Sequence, residues 1–118
     1  MTTKETALKV AAILDEKKAA DIVIIDIAER SAFADYFVIA TASSVGQLGS
    51  LTDELDDRLF KEFGLEAKNI EGRGSSEWVL MDYGDLVVNL FTEEARNKYH
   101  LEKVWGDCEM INYVKSED

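Results

Sequence analysis

The run Ile22-Val23-Ile24-Ile25-Asp26-Ile27 constrains the fold more than any other stretch of the chain. Its apolar residues are all β-branched, which stiffens χ1 and suits a pleated sheet better than a helix. The run is continuous and does not alternate with polar residues. That pattern marks a central strand with apolar cover on both faces. Tyr36-Phe37-Val38-Ile39-Ala40-Thr41-Ala42 reads as a second strand, after a connection over Ala28 to Ala34.

Cover for such a sheet comes from two amphipathic segments. Thr2-Thr3-Lys4-Glu5 is a capping box, and Ala7, Val10, Ala11 and Leu14 follow at helical spacing. The first helix should stop near Lys17 or Lys18, whose charges suit a helix C-terminus. Ser44-Val45-Gly46-Gln47 is a second box, followed by Leu48, Leu51, Leu55, Leu59 and Phe63 and closed by Gly64. The outer face of this helix carries Asp53, Glu54, Asp56, Asp57 and Glu62, a solvated face by pattern.

Beyond Gly64 the chain returns to strands. Leu65 to Ile70 is a weak third strand and Gly72-Arg73-Gly74-Ser75-Ser76 a flexible loop. Glu77 to Asp82 and Leu86 to Phe91 are the fourth and fifth strands, joined by a tight turn at Asp82-Tyr83-Gly84-Asp85. Thr92-Glu93-Glu94 opens a short helix to about Lys98, and Leu101, Val104 and Trp105 suggest one or two turns more. Met110 to Val114 either adds a short strand or lies across the sheet. The expected fold is α/β of the α+β type. It is a single domain with a mixed five-stranded sheet, two long helices on one face, and the order α-β-β-α-β-β-β-α. Trp78 and Leu80 share one face of strand four and Val79 and Met81 the other. Both faces are apolar, so the one lacking internal cover is a candidate interaction surface unless Trp105 and its helix shield it.

Composition excludes several function classes. Thirteen basic against twenty-four acidic residues give a formal charge of −11, which repels nucleic acid and anionic membrane and favours a basic protein partner. One cysteine, Cys108, and one histidine, His100, exclude an internal disulfide and multi-cysteine or multi-histidine metal centres. No run approaches the roughly 18 apolar residues of a membrane span, and no signal core opens the chain. The expected location is the cytoplasm.

Candidate chemistry is sparse. Gly72-x-Gly74 leads into a strand, whereas a phosphate loop opens a helix. Asp82 and Asp85 flank a turn, so they could approach one another and hold a divalent ion, as a nucleotidyltransferase would require. No phosphate cradle accompanies them, so they read as turn carboxylates. Cys108 and His100 lack the third group of a nucleophile pair. No cofactor is expected.

Two long segments are similar to a known family. Ala20 to Ile27 with Ser31-x-Phe33-Ala34-Asp35-Tyr36-Phe37-Val38-Ile39-Ala40-Thr41-Ala42-Ser43 resembles the first half of the Iojap-type ribosomal silencing factors (RsfS). Glu71-Gly72 and Trp78-Val79-Leu80-Met81-Asp82-Tyr83-Gly84-Asp85-Leu86-Val87-Val88 resemble the second half. Phe91, Arg96, Tyr99, Leu101-Glu102 and Trp105-Gly106-Asp107 also match. The resemblance takes in residues 1–107 and leaves 108–118 as a C-terminal tail with room for a short strand. Asn89 stands where the family usually carries histidine, and Thr92-Glu93-Glu94-Ala95 is more acidic than its usual pattern.

The resemblance implies a nucleotidyltransferase-like fold without its catalytic equipment, and a homodimer. It also implies binding to a basic protein of the large ribosomal subunit, universal large-subunit protein fourteen. The bound factor would block joining of the small subunit and repress translation when nutrients are short. Trp78, Leu80, Asp82, Tyr83 and Asp85 are then the expected partner-binding residues. A metal-dependent transferase using Asp82 and Asp85, or an adaptor that only homodimerises, are the alternatives.

Overall fold

A computed structural model describes residues 2–32, 34–75, 77–104, 106 and 108–112. Helix α1 (Thr3–Glu16) leads into strands β1 (Ala20–Asp26) and β2 (Tyr36–Ala42), then helix α2 (Val45–Phe63). Strands β3 (Asn69–Glu71), β4 (Trp78–Asp82) and β5 (Leu86–Thr92) follow, then helices α3 (Glu93–Tyr99) and α4 (Leu101–Val104) and strand β6 (Glu109–Asn112). The sheet order is β3-β4-β5-β2-β1-β6. Among the described strand pairs only β2 and β5 run parallel, because the α2-β3-β4 excursion returns the chain in the same direction. No helix among the described residues is long and apolar enough to cross a membrane.

Local chemistry sets the helix ends. Thr2 accepts from the Glu5 amide at 3.1 Å while the Glu5 carboxylate accepts from the Thr2 amide at 3.2 Å, so the box is complete. The second box is half formed. Ser44 accepts from the Gln47 amide at 3.0 Å, but the Gln47 side chain turns to the Ser43 amide and the Lys17 carbonyl. That diversion ties the start of α2 to the end of α1. Gly64 closes α2 in the left-handed region at φ 68°, where a side chain would be strained.

Both long helices lie on one face of the sheet, as expected. Val10, Leu14, Leu48, Leu51, Leu55 and Leu59 meet Ile22, Ile24, Val38, Val79, Met81 and Val88 there. Each fully buried leucine contributes about 1.5–3 kcal/mol. Residues one step out of phase, Val23, Ile25, Phe37, Ile39, Val87 and Phe91, form the second layer, which α3 joins through Ala95.

Among the described residues the sheet has six strands where five were expected. The addition is β6, which pairs Glu109 to Asn112 antiparallel with Asp26 to Val23. The third strand is also shorter than the sequence suggests: only Asn69–Glu71 pairs. Residues 64–67 take no strand hydrogen bonds.

Arg96 fastens the second layer. Although charged, it is only 8% exposed. It donates to the Asp21 carbonyl at 2.8 Å and to Thr41 Oγ1 at 2.9 Å, and meets both carboxylate oxygens of Glu102 at 3.1 Å. One guanidinium thereby joins β1, β2, α3 and α4. A bulge in β1 puts Asp21 at φ 46°, and it is this residue's carbonyl that receives Arg96.

Candidate protein-docking face

Directly opposed residues in a sheet share a face, so the strand register places the candidate residues. Glu71 faces Leu80, Leu80 faces Asn89, and Asn89 faces Ile39. In the next rows Trp78 faces Phe91, and Asp82 lies between Asn69 and Val87. Trp78, Leu80 and Asp82 therefore line one surface near the β3 edge. Trp78 and Leu80 are half-buried, whereas Val79 and Met81 are sealed beneath α2.

The Trp78 indole stacks on Phe91 with centroids 5.1 Å apart and planes at 24°. Tyr99, at the end of α3, tilts against it at 5.4 Å. Tyr99 in turn donates from its hydroxyl to Glu77 at 3.2 Å. Trp78 Nε1 donates to Asn89 Oδ1 at 3.1 Å. Beside this cluster Glu71, Gly72, Trp78 and Leu80 enclose a shallow depression of about 190 Å³. Its glycine wall is obligatory: at φ 83°, a Cβ on Gly72 would lie 2.2 Å from the Trp78 carbonyl oxygen. Trp105, expected as cover for this face, lies outside the described residues.

Tyr83 does not join this surface. Strand alternation continues past Asp82 into the turn, so its ring packs against the core cluster on the α1–α2 side. Its hydroxyl is buried with no hydrogen-bond partner among the described residues. Burial, with the nearby charge of Asp56 and against that of Arg73, pushes its pKa up to about 12. The expected patch of Trp78, Leu80 and Tyr83 is therefore divided between two faces.

Asp82 and Asp85 serve the turn. Asp82 Oδ1 accepts from the Gly84 amide at 2.8 Å, and the Asp85 carbonyl accepts from Asp35 and Tyr36 at 2.8 and 3.1 Å. The Asp85 carboxylate is exposed. Among the described residues no three histidine, cysteine or acidic side chains cluster as a metal site requires. The acids on α2 meet cations: Asp53 and Asp56 pair with Arg73, Glu54 with Lys17, Asp57 with Lys61 and Glu62 with Arg58.

Two buried polar residues escaped the sequence reading as parts of this arrangement. Asn89 was legible as a departure from the family histidine and as a polar interruption of the apolar run Leu86 to Phe91, but not as the partner of Trp78. Arg96 was legible as a residue shared with the family, but not as a buried cation.

The family described as "Ribosomal silencing factor during starvation" matches residues 1–118. The ribosomal silencing factor RsfS of Bacillus subtilis is 39% identical over 110 residues, 92% of either chain. That of Zymomonas mobilis is 41% identical over 93 residues, 79% of this chain and 69% of its own. A crystal structure of a Chromobacterium violaceum protein superposes with a TM-score of 0.82 at 31% identity, covering 98% of this chain and 92% of the other.

Proposed function

Because the chain belongs to the ribosomal silencing factor family, we propose that it docks on the large ribosomal subunit and keeps the small subunit from joining. The partner in this reading is the basic universal large-subunit protein fourteen, met in the cytoplasm. The observation that carries it is the half-buried Trp78–Leu80 surface with Glu71 and Asp82 along its edge.

An aromatic and an aliphatic side chain at the centre of a small depression supply the desolvated anchor on which interface energy mostly depends. Acidic groups around it suit a basic partner and speed the encounter. The acids of α2 are already matched by local cations, so Glu71, Asp82 and the exposed Asp85 are better placed to act on a partner's charge. Tyr83 supports the same turn from the opposite face. Blocking is steric and requires no covalent chemistry.

Purified protein added to mixed subunits should deplete the joined ribosome in a sucrose gradient and co-migrate with the large subunit. Trp78→Ala should weaken that association about 30-fold, the equivalent of ~2 kcal/mol. An unchanged joined peak at saturating protein would refute the reading.

A further inference from the structure

We propose that Asn89 is a positioning residue for the docking face, its side-chain carbonyl holding the Trp78 indole in the orientation presented to the partner. The inference rests on the docking reading above and goes further by naming what fixes its anchor.

Asn89 sits in the middle of β5 and is 1% exposed. Leu80 and Ile39 stand opposite it on the neighbouring strands. Its Oδ1 accepts from Trp78 Nε1 at 3.1 Å. Its Nδ2 has no partner among the described residues. A buried amide with an unmatched donor destabilises the fold, and an apolar residue of similar size would suit this layer better.

What asparagine supplies and leucine does not is an acceptor for one indole N–H. Among the described residues, the Trp78 ring also meets Phe91 and Tyr99. Aromatic packing tolerates offsets and ring flips, because χ2 of tryptophan is a broad torsion. A directional hydrogen bond selects one flip state. The depression lined by Trp78, Leu80, Gly72 and Glu71 then exists before the partner arrives. Ordering the ring in advance removes an entropic cost from docking.

The test combines three readouts on Asn89→Leu, with Asn89→Val as a parallel variant should leucine overfill the site. The protein has two tryptophans, Trp78 and Trp105, so 15N labelling gives two indole N–H signals that Trp78→Phe assigns. In Asn89→Leu the thermal midpoint should hold or rise. The Trp78 indole signal should move and exchange faster with solvent. Affinity for isolated large subunits should fall about tenfold, or ~1.4 kcal/mol.

Asn89→His returns a ring nitrogen as acceptor and should recover most of both the signal and the affinity. An indole signal unmoved in Asn89→Leu overturns the inference. So does full affinity of Asn89→Leu where Trp78→Ala has lost binding, or a folded Asn89→His that binds no better than Asn89→Leu. If Trp78→Ala itself binds normally, the docking reading fails, and the indole signal still decides whether Asn89 orients the ring.

Discussion

Tyr83 carries a hydroxyl that its surroundings do not match. Tyr83→Phe should remove an unpaired polar group and stabilise the protein by up to about 1 kcal/mol, or roughly 4 °C in the thermal midpoint. A lower midpoint in calorimetry would contradict this. The pH dependence has a definite sign. Burial raises this phenol from 10 to about 12 in the fold, so the neutral form is favoured there. The associated stability is complete below pH 10 and is lost as pH rises toward 12. Absorbance at alkaline pH should show late tyrosine ionisation, to which Tyr36 also contributes because burial and the neighbouring carboxylate of Asp26 raise it, and Tyr83→Phe should remove the component near pH 12. The residue was misplaced from sequence because that reading ends strand alternation at the turn, whereas here the side-chain directions carry through it. Asn89 shows a different limit. The sequence displays a polar residue in an apolar strand, but only the register brings Trp78 to it.

Among elements, α2 was the most legible, since its leucines recur at one helical spacing and Gly64 ends it. The burial of Leu48, Leu51, Leu55 and Leu59 follows that pattern residue for residue. Strand β6 was not fully legible. Glu109 to Asn112 is too short for a period, and its partner β1 lies at the other end of the chain. The junction of α3 and α4 was hidden because its organiser, Arg96, is a buried cation. Burial pushes the Glu102 carboxyl up, but the hydrogen bonds and charge of Arg96 outweigh it, and the net displacement is downward. Stability from this pair is therefore complete above the ordinary glutamate value of 4.5 and is lost as pH falls below it. Acid should release α4 first, seen as faster amide exchange at Glu102 and Lys103. Glu102→Gln should lose less stability over the same acid range. Equal acid slopes for the two proteins would rule the clamp out as the source.

At the scale of the molecule, a charge of −11 acts on every association the chain enters. The homodimer implied by the family resemblance would join two such chains, so added salt should strengthen it by screening their repulsion. Docking onto a basic partner should weaken in the same titration. If self-association shelters the Trp78–Leu80 surface, ribosome binding must compete with it by mass action. Apparent affinity should then fall once the protein is well above its own dimer constant. A covalently locked dimer that binds large subunits at full strength would show that the surfaces are separate.

The pairing of β6 with β1 has a consequence for the chain as it is made. Strand β1 leaves the ribosome well before β6, the last described strand. Until then the outer edge of β1, with Ile24 and Ile25 in its ladder, has unpaired amides and carbonyls. A nascent chain of this design exposes the long β1 edge as well as the short β3 edge, and the longer one is able to template onto another chain. Closing it requires a contact between distant parts of the sequence, the slow kind of step in folding. The edge of β1 is thus covered only once β6, some eighty residues further along the chain, has also been made.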